Sequence, residues 1–256
     1  PADREGVPGL AELRAPAAEH PGRADRGDER PPDAPRRARR VELAAVAAVA
    51  LALVVLILRP VPLDSPVIYA RDTFQHLALI EAADWTGTPQ RVDRFGAPHG
   101  SDWSLFPSGG ERLQLVALHA LRAATGSPIA AVNLYTALAL VATAVVSHAV
   151  LRWIGCRPSV AGAAACLFAL SPSALQRLAP GHLFLFALFP VALGVFAALW
   201  ALQRPPPGSW RPSSWRRSGW LRGAEWAAPL AAVVVVAVSS TYYAIFTGLL
   251  LAACSG

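Results

Sequence analysis

Lysine and methionine are both absent from this chain of 256 residues, so all 23 basic side chains are arginines. Charged residues make up only 16% of the sequence and hydrophobic residues 54%, an apolar excess that a single soluble domain rarely carries. We therefore expect a membrane protein. Because the chain lacks an initiator methionine and stops at Gly256 inside an apolar run, we expect a fragment of a longer protein. The composition, rich in Ala, Arg and Pro, is typical of a GC-rich bacterial genome.

Several common functional motifs are also missing. The three cysteines, Cys156, Cys166 and Cys254, show neither CxxC nor His-rich spacing, so neither a zinc site nor a disulfide framework is indicated. No GxGxxG or P-loop nucleotide motif occurs. The net charge of +6 comes from arginines in blocks between apolar runs, a distribution that favours membrane topology over nucleic-acid binding.

Apolar runs predict the fold. Residues 1–40 form a polar segment that ends in the basic run RRARR, and we expect a disordered tail because they carry few large apolar side chains. The run from Leu43 to Leu58 then predicts a first span; a signal peptide is the alternative, but no A-x-A-like site follows closely. Further spans are predicted at 128–151, 158–176, 182–202 and 225–253, the last with a break at SSTYY. The prediction is an all-α, polytopic transmembrane helical bundle over residues 41–256.

Arginine positions predict the orientation of this bundle. With the tail in the cytoplasm, the loop near residue 155 and the loop 203–223 both lie inside and both carry arginines. The segment 59–127 then forms an extracytoplasmic loop with interfacial helices, in a multi-pass protein of the plasma membrane. The loop 203–223 also carries three tryptophans, which fits either docking on lipid headgroups or, as we favour, an ordinary cytoplasmic loop.

Acidic residues collect in the predicted outer loop rather than in the spans. Ion-coupled transporters carry ionisable groups near mid-membrane, and the predicted spans contain almost none. The acids of the outer loop are Asp64, Asp72, Glu81, Asp84, Asp93, Asp102 and Glu111. A polar site at the outer membrane surface is therefore predicted.

The order of these features resembles the integral-membrane glycosyltransferases of the C superfamily (GT-C). The resemblance runs from about residue 42 onward and rests on YARDTFQHLALI, FGAPHGSDWSLFPSGG, AAVNLYTALALV, FALSPSALQRLAPGHLFLFALFPVAL and SSTYYAIFTGLLL. It implies a polyprenyl-phosphate sugar donor, an inverting transfer on the outer face, and an acidic residue of the first outer loop as general base. Asp72 matches that acid by position. A second explanation for Asp72 is structural, since Gln75 three residues later completes a capping-box-like pattern for a helix at 73–85.

Other polar residues were weighed as substrate contacts. Arg177 and His182 flank the short outer turn QRLAPGH, where arginine suits a donor phosphate and histidine can hydrogen-bond it; the alternatives are a snorkelling arginine and a helix cap. His76 in the outer loop is a further candidate, although a single histidine is more often a surface residue. Tyr243, beside Tyr242, either binds sugar or belongs to an aromatic belt, which is favoured.

Two acids of the outer loop have structural alternatives. Asp102 is a candidate for assisting the acceptor or holding a divalent cation against the donor phosphate, but its Gly, Pro and Ser-rich surroundings favour a turn role. Glu111 follows Ser108 by three residues and is interpreted as the second member of a capping box. No other metal site or cofactor is indicated, and the oligomeric state is open.

The resemblance thus implies a membrane glycosyltransferase with Asp72 as base and Arg177, with His182, neutralising phosphate. A transporter or lipid flippase and a non-catalytic membrane scaffold are the alternatives. The donor sugar and the acceptor are not identified by any motif.

Overall fold

The protein is an all-α bundle. The computed structural model describes residues 34–58, 62–67, 71–86, 91–92, 100–102, 111–203 and 219–255. Within these ranges the helices are α1 (Ala34–Leu58), α2 (Arg71–Thr86), α3 (Arg112–Thr125), α4 (Pro128–Trp153), α5 (Pro158–Ala169), α6 (Pro172–Leu178), α7 (Phe189–Leu202), α8 (Gly219–Ser239) and α9 (Thr241–Ser255). Strands β1 (Arg91–Val92) and β2 (Ser101–Asp102) form one short antiparallel pair. The predicted fold class is confirmed.

Three helical segments are long and apolar enough to cross a membrane: Arg37–Leu58, Pro128–Trp153 and Pro158–Leu178. Three shorter apolar helical segments accompany them, at Phe189–Leu202, Trp226–Ser239 and Thr241–Cys254. Helix α1 has 25 residues and so extends about 37 Å, which exceeds the ~30 Å of a hydrocarbon core. It begins at Ala34, so the run RRARR is helical, whereas we predicted that it belongs to a disordered tail. Residues 1–33 of that tail lie outside the described part.

Helix α4 is the centre of the bundle and packs against α1, α3, α5 and α7. It begins sharply because the Ser127 hydroxyl accepts a hydrogen bond from the Ala130 amide and Pro128 occupies the first helical position. One turn further, the Asn133 side chain donates to the carbonyls of Leu63 (2.8 Å) and Ser65 (2.7 Å) and accepts from the Val67 amide (3.1 Å). This side chain fixes the connection between α1 and α2 to the start of α4.

The predicted span 158–176 is interrupted. Helix α5 ends at Ala169 and α6 begins at Pro172, after Ser171 accepts a hydrogen bond from the Ala174 amide. The sequence already contains the reason, because a residue before proline disfavours helical backbone angles and serine is a good N-cap. The predicted span missed this break because the prediction was based on apolar content alone.

The next two predicted spans are also divided. Only 189–202 of the predicted span 182–202 is the helix α7, and residues 183–188 form buried turns instead. The predicted span 225–253 is divided at Ser240 into α8 and α9, and this confirms the break expected at SSTYY.

The largest buried cluster joins these elements at the end of the bundle where α2 lies, called here the α2 end. It includes Val54 of α1, Ile80 of α2, Leu118 of α3, Leu140 of α4 and Phe186 of the turns. Since each of these five side chains is at most 2% exposed, α2 and residues 183–188 are held against the bundle rather than hanging from it.

Candidate functional site

The site at the α2 end is built on a close approach between two chain segments. Residues 179–188 link α6 to α7 as successive turns, and Gly181 within them has φ +86°. A Cβ at position 181 would lie 2.5 Å from Thr73 Oγ1 and 2.7 Å from the Thr73 nitrogen. The turn can therefore reach the first turn of α2 only because residue 181 has no side chain.

Asp72 and His182 meet where these segments approach. His182 Nδ1 lies 2.5 Å from Asp72 Oδ2, and both side chains are about two-fifths exposed, at 40% and 39%. The backbone reinforces the pair, because the Asp72 amide donates to the carbonyl of Pro180 at 3.4 Å. An imidazole that donates from Nδ1 to a carboxylate is fixed in one tautomer and orientation. The result is a solvent-accessible carboxylate–imidazole pair.

The predicted capping role of Asp72 is wrong. Helix α2 begins at Arg71, two residues earlier than expected, so Asp72 lies inside the first turn rather than at the N-cap. Its carboxylate contacts His182 instead of the amides of the helix start. The acid nevertheless suits this position, since the positive end of the helix dipole stabilises a negative charge in the first turn.

His76 lies beneath the pair. Its Nδ1 is 2.6 Å from the carbonyl oxygen of Asp72, and its ring stands edge-on to Phe184 with ring centroids 4.2 Å apart. The side chain is buried, and this burial lowers its pKa to about 4, so His76 is neutral near pH 7. The structure therefore gives His76 a position that supports Asp72, not the open position expected of a substrate contact.

Arg177 and Tyr243 form a second polar group beside the pair. Arg177 Nη1 donates to the Leu185 carbonyl at 3.2 Å and lies 3.5 Å from the Tyr243 hydroxyl, which itself donates to the same carbonyl at 2.5 Å. The His182 amide donates to the Arg177 carbonyl at 3.1 Å, so the two polar groups share one turn. Tyr243 is 6% exposed, which contradicts the favoured aromatic-belt interpretation for this residue, whereas Tyr242 is 54% exposed.

A groove of about 340 Å³ leads away from Arg177 and Tyr243. Apolar side chains of α5, α7 and α9 form most of its walls: Phe168, Leu188, Val191, Val195, Phe246 and Leu250. Ser171 and Ser173 add hydroxyls near the arginine end. The groove thus joins one cationic group to a long apolar surface. We call it the Arg177 groove.

Asp102 is not in a turn as predicted. It is an exposed residue of β2 and pairs in register with Arg91 of β1. Gly100, the residue before β2, has φ 73°, a left-handed conformation that glycine adopts readily. Asp102 therefore lies in a short strand rather than in the turn that the composition favoured.

Glu111 lies in a buried environment that the sequence pattern did not predict. It occupies the N-cap position of α3 but makes no capping hydrogen bond, so the predicted capping box with Ser108, which lies outside the described residues, is wrong. The side chain is 8% exposed, and burial raises its pKa to about 8. Nothing in the sequence pattern distinguished Glu111 from a capping residue.

The nearby Gln114 amide and Tyr135 hydroxyl are buried and have no hydrogen-bond partner among the described residues. Within the same part of the chain, no three His, Cys, Asp or Glu side chains are arranged to hold a metal ion.

The fold and site define an all-α bundle with apolar helices of membrane-crossing length and a carboxylate–imidazole pair at one end. Comparison with family models, curated proteins and solved structures found no match.

Proposed function

We propose that this protein is a membrane glycosyltransferase of the GT-C type, which transfers a sugar from a polyprenyl-phosphate donor to an acceptor hydroxyl. The observation that carries the proposal is the exposed Asp72–His182 pair, which shares a turn with Arg177 at the head of an apolar groove. A base, a phosphate-binding cation and a surface for an isoprenoid chain are the three parts that such a reaction requires.

The carboxylate of Asp72 accepts the proton of the acceptor hydroxyl as the acceptor oxygen attacks the anomeric carbon. The bond between that carbon and the phosphate oxygen breaks, and the phosphate leaves with its electron pair. His182 holds the carboxylate in place through Nδ1. Its other ring nitrogen remains able to contact the acceptor.

Arg177 neutralises the charge on the leaving phosphate. Its Nη1 is engaged by Leu185 and Tyr243, which fixes the guanidinium plane, while the remaining N–H groups stay available for phosphate oxygens. The isoprenoid chain of the donor then lies along the apolar walls of the Arg177 groove.

In this proposal the α2 end faces the extracytoplasmic side and the amino end of α1 faces the cytoplasm. Support comes from arginine positions, because Arg39, Arg152 and Arg157 all lie near helix ends opposite the site. The donor and acceptor would then meet at the outer surface of the plasma membrane.

The test uses Asp72→Asn in the full chain, reconstituted in liposomes with a panel of polyprenyl-phosphate hexoses and pentoses and with membrane lipid extracts as acceptors. Release of polyprenyl phosphate is the readout. Asp72→Asn should lower the rate at least about 100-fold while membrane insertion is retained. The matched control is Asp64→Asn, an exposed acid of the same connection, which should keep the wild-type rate.

Two results would refute the proposal. One is an unchanged rate in Asp72→Asn, as a scaffold or transporter predicts. The other is a wild-type protein that releases no polyprenyl phosphate from any donor of the panel.

A further inference from the structure

A second group of ionisable side chains lies at the opposite end of the bundle, between α1 and α4. Glu42 Oε2 is 2.9 Å from Arg152 Nε and 3.7 Å from His148 Nε2. Arg152 also donates through Nη1 to the Cys156 carbonyl at 2.6 Å. We call these three side chains the Glu42 cluster, and the proposed transfer reaction does not use them.

His148 is the unusual member of the Glu42 cluster. Its side chain is 2% exposed, yet neither ring nitrogen has a hydrogen-bond partner among the described residues. The ring faces α5, where a Cβ on Gly162 would lie 4.0 Å from Nδ1. Since Nε2 lies 3.7 Å from Glu42 Oε2, beyond hydrogen-bond distance, the burial of this ring is only weakly compensated within the described residues.

Two spaces adjoin this histidine. A polar cavity of about 390 Å³ is lined by Arg39, Glu42, His148, Arg152 and Trp153 together with smaller side chains. A wider apolar groove of about 640 Å³ runs between α1 and α5 along Val46, Val49, Leu53, Gly162, Cys166 and Leu167. Glu42 and His148 line both spaces, so the polar cavity and the apolar groove meet at the cluster.

The charges of the polar cavity favour an anion. Two guanidinium groups, Arg39 and Arg152, face one carboxylate, Glu42, which leaves one positive charge in excess. Guanidinium groups bind phosphate oxygens with matching geometry, and a tryptophan such as Trp153 is typical of the membrane interface. The adjoining groove is apolar, and its volume of about 640 Å³ can hold a hydrocarbon chain.

We propose that this is a binding site for one anionic phospholipid of the bilayer. The phosphate lies between Arg39 and Arg152, and one acyl chain fills the groove between α1 and α5. The bound lipid joins α1 to the rest of the bundle. This matters because only 17% of the apolar window of α1 is buried within the protein.

The experiment measures the thermal unfolding midpoint of the full chain in a neutral detergent with three additions. These are phosphatidylglycerol, phosphatidylcholine with the same acyl chains, and inorganic phosphate. Phosphatidylglycerol should raise the midpoint in a saturable manner, and the other two additions should have little effect. Equal effects of both lipids, or an effect of inorganic phosphate equal to that of phosphatidylglycerol, would overturn the proposal.

Two variants, each with a matched control, locate the effect. Arg39→Gln removes an exposed arginine of the cavity. It should weaken the binding of phosphatidylglycerol about tenfold, because one charge-assisted contact is lost. The matched control is Arg37→Gln, an exposed arginine two residues earlier that does not line the cavity. Gly162→Leu should fill the groove and abolish the lipid effect, whereas Gly162→Ala meets only ordinary contacts, the closest 3.5 Å from Val46, and should retain it. Equal lipid affinity in the two arginine variants would refute the assignment of the phosphate.

Discussion

The buried carboxyl of Glu111 should make the stability of this protein depend on pH. Burial raises its pKa in the folded protein from 4.5 to about 8. The unfolded chain therefore releases this proton first, and the free energy of unfolding falls as pH rises from about 4.5 to about 8. Each pH unit is worth about 1.4 kcal/mol, so the full loss is on the order of 5 kcal/mol. Above pH 8 the loss is complete.

Glu111→Gln tests this reasoning, because glutamine has nearly the shape of the protonated acid and has no proton to release. The free energy of unfolding is measured in detergent by chemical denaturation at pH 5 and at pH 8.5. The variant should have nearly the same free energy of unfolding as the wild type at pH 5 and exceed it by several kcal/mol at pH 8.5, up to about 5.

The control for Glu111→Gln is Arg112→Gln, which also removes one unit of charge, from the next and exposed residue. Arginine stays charged across this range, so the difference between this variant and the wild type should be the same at both pH values. A difference for Glu111→Gln that is equally large at pH 5 and pH 8.5 would show that packing, not desolvation of the carboxylate, governs this residue.

Two further substitutions test how the site is held. Gly181→Ala should abolish transfer and lower the unfolding midpoint, because its Cβ would overlap Thr73 Oγ1 at 2.5 Å. The control is Gly126→Ala, where φ is +72° and the space around the Cβ is open. It should lose only about 1 kcal/mol of stability to backbone strain and keep its activity. Similar losses of activity in both variants would contradict the close-approach explanation. Asn133→Leu removes three hydrogen bonds to the connection between α1 and α2. It should lower the free energy of unfolding, measured by chemical denaturation, by about 2 to 4 kcal/mol. The control Thr136→Val, whose hydroxyl bonds within its own helix, should lower it by less than about 1 kcal/mol. Comparable losses would show that Asn133 does not anchor this connection.

The bundle itself was largely predictable because apolar runs report burial or lipid exposure directly. The helix at 128–153 and the break at SSTYY follow from such runs and their interruption. The break before Pro172 was missed because apolar content was weighed above proline and serine signals that the sequence contains. Residues 183–188 are apolar but not helical, and hydropathy does not distinguish buried turns from buried helix.

The candidate site was predictable as separate residues but not as an arrangement. Asp72 and His182 were each named, yet they are 110 residues apart in sequence, and only the contact of Gly181 with α2 brings them together. Tyr243 and Glu111 were assigned to the wrong environment because burial depends on neighbours from other helices. No local pattern reports that α9 turns Tyr243 inward to Arg177 or that α3 buries the acid at its start.

The two ends of α4 each carry one buried polar side chain, and the burial of the two is compensated to different degrees. Asn133 and His148 lie about equally far from the start and the end of the helix, and both are buried. Asn133 makes three hydrogen bonds with backbone groups, so its burial is compensated and it fixes the chain that leads to Asp72. The ring nitrogens of His148 make no hydrogen bond among the described residues, and the side chain lines two cavities. His148 Nε2 lies 3.7 Å from Glu42 Oε2, so the burial of this ring is compensated less well than that of Asn133. The phospholipid site that we propose lies beside this ring, where Arg39 and Arg152 supply positive charge.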